Sequence, residues 1–439
     1  MRAVTRRELV VAGLASGLIL PWLKPLGATS TMGTTRSASR AKEAGGAASS
    51  GVTDSSITLG MSAAFSGPSQ GLGIELYRGA SAYFTHMNRQ GGIRGRKVIL
   101  KTYDDGYQPD PSVRNTMTLM LQDHVFLLFG YVGTPTVTRV LPMLKKFQSN
   151  GMYLFFPFTG AQPQREPPYG HFAFNLRASY RQETAGLVAN LVRINRKRIA
   201  VFYQADAYGR SGWAGVRDAL NQHGKRIVGE ATYRRGTKFT SSLRKQVEIL
   251  KAAKPEAVIC IGAYAACAAF ARDAVDLGLH VPLANLSFVG SENLLQLLTE
   301  GWDDRQKYTQ LLVNSQVVPS YEDTAMPAVR EYRALMQRYD PQTPEGLTPE
   351  AYTPFAHSFV SFEGFLNAKL MVEILHRLGD KPERHGLESA VFTIQDYDLG
   401  IGERVSFGPD RRQGLQQVYY TVVDEGRFIP LDTWEARFT

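Results

Sequence analysis

The stretch LLFGYVGTPTVTRVLP, residues 127–142, decides how the chain is read, because an apolar strand runs into two glycines and then into a helix. Gly130 and Gly133 permit close backbone approach, and Thr134 stands where a helix N-cap is expected. The hydroxyl and the free N–H groups of such a first turn can face a carboxylate, with the helix dipole favouring the negative charge. Thr134 can equally do no more than cap its own helix, and the local sequence leaves both roles open.

Outward from this turn the same rhythm repeats. The short apolar runs ITLGM, KVILKTYDD, VFLLFG and MYLFF alternate with the amphipathic segments LYRGASAYFTHMNRQ, VRNTMTLMLQ and TVTRVLPMLKKF. That alternation predicts parallel strands joined by helices. After FAFNLRASY it starts again with RIAVFYQ, WAGVRDALNQHG, RIVGEATY, FTSSLRKQVEILKAA, AVICIG and CAAFARDAVDLG. The expected fold class is therefore α/β, with two doubly wound lobes and an ordered fold beginning at Ile57. A long helix is expected from about Phe355 to Leu378, after the proline-rich loop DPQTPEGLTPEAYTP, and the chain should end in the short strands of QQVYYTVVDEGRFIP. In such folds ligands bind at the carboxyl ends of the strands, which places the site in the cleft between the lobes.

At 439 residues, 44% hydrophobic and 21% charged, the composition is that of a globular protein. The formal charge of +10 falls to +7 without residues 1–28, where Arg2, Arg6, Arg7 and Lys24 stand against Glu8. What remains is scattered in pieces such as RINRKR and PDRRQG with no aromatic stripe to stack bases, so nucleic acid is not an expected partner. TRRELVVAGLASGLIL followed by PLGATS reads as an export signal over 1–28, cleaved near Ala28, with a twin-arginine character at Thr5, Arg6, Arg7 and Leu9. No cysteine stands near that cleavage region, so the mature protein is expected to be free in the periplasm. Residues 29–55, rich in Ser, Thr, Gly and Ala, read as a flexible lead-in. The two cysteines, Cys260 in an apolar strand and Cys267 in the next helix, are expected as buried thiols.

Several strand-to-helix turns carry groups suited to a small ligand. PFTGAQ offers Thr159 and Gly160 after strand MYLFF, and YQADAYGRSGW offers Tyr208 beside Gly209, with Asp206 placed to cap the helix. Tyr264 follows AVICIG, and Ser287 follows PLANL. Asp104 and Asp105 are expected to form a turn before GYQPDP rather than to act as acid and base. The chain has no GxxxxGK[ST] or HExxH motif and no metal-type cysteine or histidine cluster, so neither catalysis nor a cofactor is expected.

These residues resemble a known family, the type I periplasmic solute-binding proteins of ABC importers, in their leucine/isoleucine/valine-binding group. The resemblance runs from ITLGMSAAFSGPSQGLG through YRGASAYFTHMNRQGGIRGRKV, TYDDGYQPD, FGYVGTPT, FNLRASY and YQADAYGRSGW to SFEGFLNAKLMVEIL and VSFGPDRRQGLQQVYY. It implies two lobes, 56–176 plus 317–412 and 177–316 plus 413–439, joined by a three-strand hinge. It also implies a monomer that traps a small solute by lobe closure and delivers it to an inner-membrane ABC permease. A ligand sensor that feeds a membrane signalling receptor is the alternative. The ligand residues implied are Thr134, Pro135, Thr159, Gly160, Tyr180, Asp206, Tyr208, Tyr264 and Ser287. Two positions depart from the group: Ser287 stands where amino-acid binders commonly carry an acid for the ligand ammonium, and Leu72 where an aromatic often closes the pocket. A buried ammonium without a carboxylate is costly, so the solute expected is a small carboxylate or amide, with branched-chain amino acid as the leading named case if Asp206, Glu363 or another acid compensates.

Overall fold

A computed structural model of the chain describes residues 50–301, 303–304, 306–347 and 352–438. The expected export signal and most of the lead-in lie outside the described residues. Val52 is buried and bridges Ile57, and the Ser50 hydroxyl donates to the His124 carbonyl at 3.0 Å. Packed structure thus reaches back to Ser50, ahead of the expected start at Ile57.

Alternating apolar segments build the first sheet from β1 (Ser56–Ala63), α1 (Gln70–Arg89), β2 (Lys97–Asp104), α2 (Pro109–Leu121), β3 (Leu127–Phe129), α3 (Thr134–Lys146), β4 (Leu154–Phe155) and β5 (Ala173–Phe174). Its order is β2-β1-β3-β4-β5 and every pairing is parallel. The central strands are apolar on both faces, as a sheet covered by helices requires.

The chain then crosses to a second sheet. It comprises α4 (Tyr180–Arg193), β6 (Ile199–Gln204), α5 (Ala207–Gln222), β7 (Glu230–Tyr233), α6 (Arg244–Ala252), β8 (Ala257–Ile261), α7 (Tyr264–Asp276), β9 (Leu283–Asn285), α8 (Ser291–Thr299) and β10 (Leu312–Gln316). It crosses back for α9 (Pro327–Tyr339), α10 (Phe359–Arg377), α11 (Leu387–Phe392) and the small ribbon of β11 (Tyr397–Asp398) and β12 (Arg404–Val405). A third passage delivers β13 (Tyr419–Asp424), β14 (Arg427–Pro430) and α12 (Trp434–Phe438), and the hairpin β13–β14 adds antiparallel to β10. The second sheet reads β14-β13-β10-β9-β8-β6-β7. Two α/β lobes with three passages between them is the architecture expected of the chain.

Helix boundaries follow their caps. α10 begins at Phe359 rather than near Phe355, because the Ser358 side chain accepts from the Ser361 N–H and closes the first turn there. Asp104 accepts from the N–H groups of Phe65 and Gly106, and Asp105 from the Ser62 hydroxyl and the Tyr107 N–H, so both carboxylates serve turns as expected. Both cysteine thiols are free and buried.

Buried acids, Asp105 and Glu292 among them, make stability depend on pH. Burial pushes Asp105 up to about 7, and also Glu292 to about 7, the latter on α8 with its carboxylate accepting from the Phe359 N–H at 3.2 Å. Each holds its proton more tightly folded than unfolded, so between the ordinary carboxylate range and about 7 the folded state carries more protons and stability falls as pH rises. The melting temperature is expected to be higher at about pH 5 than at about pH 8 through these groups, and Asp105→Asn should flatten the slope. Melting curves across that window check it, and an unchanged slope in the variant removes Asp105 from the account.

Candidate functional site

The site is assembled from the carboxyl ends of β3 and β4 in one lobe and of β6, β8 and β9 in the other. Gly133, at φ 104, caps α3, and Thr134 is that helix's first residue, one position inside the cap expected for it. The reason is local. A side chain at position 133 would meet the Tyr107 ring at 2.2 Å, and the positive φ needed to turn from strand into helix favours glycine. Thr134 is therefore freed from capping, its hydroxyl lying 2.6 Å from that of Thr159 and 3.5 Å from that of Tyr180. The two turns are brought side by side by the Val132–Phe158 bridge and by the Gly133 N–H, which donates to the Phe158 carbonyl at 3.1 Å. Gly160 accepts from the Tyr180 N–H at 2.7 Å, and a Cβ on it would fall 2.4 Å from the Tyr180 ring. Pro135, next in the helix, is buried and carries no N–H of its own.

From the second lobe, Tyr208 at the start of α5 packs its ring 5.1 Å from Tyr180 and 4.8 Å from Phe288, centroid to centroid. Its hydroxyl is buried and has no hydrogen-bond partner among the described residues. Asp206 is the N-cap of α5, as expected, but little of it is left for a ligand. One oxygen accepts from the Tyr208 N–H at 2.9 Å, and the other takes Gln204 Nε2 at 2.7 Å and Arg235 Nη1 at 3.0 Å. Tyr264 accepts from the Gly71 N–H of the opposite lobe at 3.1 Å and lines a cavity of about 410 Å³ with Lys238, Phe239, Asn293 and Tyr352. The lobes also meet where Gln204 Nε2 donates to the Tyr107 hydroxyl at 3.1 Å and Arg235 Nη2 to Gln108 Oε1 at 3.2 Å.

Ser287 opens a short helical turn after β9 and is engaged on both sides. Its N–H and hydroxyl donate to Glu183 at 2.8 and 3.0 Å, while Arg177 Nη2 donates to the same hydroxyl. Arg177 is 1% exposed and lies over the Phe158 ring at 4.5 Å, with Glu183 at 3.7 Å and Glu363 at 3.6 Å. Burial pushes Glu363 up to about 7, and Arg177 opposes that shift.

Thr134, Pro135, Thr159, Gly160, Tyr180, Tyr208 and Ser287 are thus gathered as a buried set, with Asp206 and Tyr264 at its edges. Sequence reasoning missed Tyr107, Phe158, Arg177, Glu183 and Phe288. One signal for Arg177 was present, the single charged residue in the otherwise uncharged FNLRASY. Among the described residues no His, Cys, Asp and Glu cluster could hold a metal ion, and no helix is long and apolar enough to cross a membrane.

A family model described as periplasmic binding protein matches residues 56–427. The "Leu/Ile/Val-binding protein homolog 3" of Brucella melitensis is 29% identical over 248 residues, 56% of this chain and 63% of that protein. The match therefore spans less than two thirds of that relative's own length. Two solved structures are similar over more of the chain. A possible leucine/isoleucine/valine-binding protein from Rhodopirellula baltica is 29% identical with a TM-score of 0.77, covering 88% of this chain and 98% of that one. A substrate-binding periplasmic protein from Ralstonia solanacearum is 28% identical with a TM-score of 0.75, covering 85% and 100%.

Proposed function

Since the chain belongs to the periplasmic binding proteins, a family of solute binders rather than catalysts, we propose that it captures a small carboxylate-bearing solute in the periplasm. The class proposed is a branched-chain amino acid or a related organic acid or amide, delivered to an inner-membrane ABC permease. The relative named for leucine, isoleucine and valine supports that class, and the apolar rings around the cleft suit an apolar tail.

The observation that carries the reading is the pairing of Thr134 and Thr159 at 2.6 Å, beside the first turn of α3, with the Tyr180 hydroxyl facing them. A carboxylate placed there meets hydroxyl donors and the unused N–H groups of a helix N-terminus together. The lobes proposed are 56–176 plus 317–412 and 177–316 plus 413–439, working as a monomer behind a cleaved export signal. Solute bound on the first lobe's turns gains the second lobe's tyrosines when the cleft shuts, so binding energy shifts the population toward the shut form. Micromolar affinity requires about 8 kcal/mol, within reach of a few charge-assisted hydrogen bonds and a buried apolar tail.

Screening the mature protein by thermal shift against amino acids, aliphatic and aromatic acids, dicarboxylates and amides tests the reading. A solute should raise the melting temperature with concentration, and a flat response across the set would sink it. Thr134→Val, which keeps shape and deletes the hydroxyl, is expected to weaken a bound carboxylate by about 1–3 kcal/mol. Calorimetric titration measures this, and unchanged affinity would remove Thr134 from the site.

A further inference from the structure

The buried set between the lobes is rich in donors, and its one acid without a hydrogen bond, Glu363, faces Arg177. Arg177 Nε and the Tyr208 hydroxyl are buried without hydrogen-bond partners, and Arg177 Nη1 reaches Glu363 only at 3.6 Å, beyond hydrogen-bonding distance. Glu183 and Asp206 are filled by hydrogen bonds, and Glu363 is left with the guanidinium of Arg177 alone. Glu183 takes the Ser287 N–H, the Ser287 hydroxyl and the Ser315 hydroxyl at 2.8, 3.0 and 2.6 Å, and faces Arg177 as well. Asp206 has both oxygens filled by Tyr208, Gln204 and Arg235. Glu363 faces Arg177, and burial holds its proton to about 7. Even the Gly160 carbonyl is committed to the Tyr180 N–H.

An ammonium enclosed here would have to leave water, sit beside a guanidinium, and either displace one of those bonds or share Glu363 with Arg177. Shedding its water without a partner costs several kcal/mol. A carboxylate faces the opposite balance, since the unpaired groups of Arg177 and Tyr208 are a guanidinium N–H and a phenol O–H, both able to donate. The remaining wall is apolar: Phe288 packs against Tyr107, Phe158 and Tyr208 at 5.8, 5.4 and 4.8 Å.

From this inventory we infer that the cleft selects organic acids with an apolar body and no α-ammonium group, and that Arg177 and Ser287 set this choice. The inference rests on the solute-binding reading above and narrows its ligand class from amino acids to their des-amino counterparts. Ser287 contributes by what it is: a hydroxyl that bridges Arg177 to Glu183 and offers no negative charge.

The test is calorimetric titration of the full exported chain with matched pairs: valine and isovalerate, leucine and isocaproate, phenylalanine and hydrocinnamate. In at least one pair the acid is expected to bind about tenfold tighter than the amino acid, or better. Binding of amino acids equal to or tighter than their acids overturns the inference while leaving the solute-binding reading in place. Silence from both members of every pair overturns the inference, and a flat thermal-shift screen beside it overturns the reading too. Ser287→Glu should shrink or invert the acid preference, a change of ratio that a merely structural role would not produce, and an unchanged ratio in the folded variant removes Ser287 from selection. The wild-type pairs decide the question even if that variant fails to fold.

Discussion

Gly79→Val is expected to prevent the first lobe from forming a native core, with a loss of more than about 4 kcal/mol, enough to unfold many domains. α1 and α10 cross at a separation that only glycine allows on the facing surfaces. A Cβ on Gly79 would stand 1.7 Å from the Ser361 carbonyl oxygen and 2.9 Å from the Phe365 nitrogen, and one on Gly364 would stand 2.1 Å from the Leu76 carbonyl oxygen. Those neighbours are backbone, so no rotamer change relieves the contact and the helices must move apart. Both helices are buried along most of their length, and separating them opens voids around Leu76, Phe362 and Phe365. The general gain from replacing a helical glycine is only about 1 kcal/mol, so the steric cost wins. Denaturant unfolding followed by circular dichroism measures the effect. A Gly79→Ala chain as stable as the parent would show that the helices do not cross this closely.

The same crossing illustrates what local sequence carries and what it does not. SFEGFLNAKLMVEIL announces a helix by its apolar spacing, and YRGASAYFTHMNRQ another, because period is a property of neighbours along the chain. That Gly79 and Gly364 face each other's helices is a property of the fold, joining residues hundreds of positions apart. The candidate site divides in the same way. Thr134, Thr159, Tyr208, Tyr264 and Ser287 each follow a strand end, and strand ends are legible from apolar runs broken by glycine. Arg177 and Glu183 stand close together at the start of α4, but Glu363 comes from α10, far along the chain, and no pattern in either segment reveals the pairing. Asp206 shows the converse: its N-cap position was readable, whereas the loss of its second oxygen to Gln204 and Arg235 depended on how the end of β6 meets the loop after β7. Thr134 moved one residue inward because Tyr107, from a different turn, occupies the space beside Gly133.

Glu183→Leu is expected to cost about 3–5 kcal/mol, because it removes one partner of a buried charge and keeps the other. Three donors, the Ser287 N–H, the Ser287 hydroxyl and the Ser315 hydroxyl, would lose their acceptor, and Arg177 would keep Glu363 alone. Glu363 then has to answer for the whole charge. Burial raises its pKa to about 7, Arg177 opposes that, and the negative charge of Glu183 adds to the rise. Without Glu183 the pKa of Glu363 should fall, giving Arg177 a more ionised partner and recovering part of the loss. Glu183→Gln keeps acceptors for two of the donors while deleting the charge, so it should fall between wild type and the leucine variant. Replacing Arg177 by methionine together with Glu183→Leu should cost less than the two single changes added, since no unpaired guanidinium is left behind. Denaturation midpoints for the four chains of that cycle, with the Glu363 carboxyl followed by infrared titration, decide the matter. Additive losses, or a Glu363 pKa unmoved by Glu183→Gln, would mean that the three groups do not act as one network and that the floor of the cleft is held by packing alone.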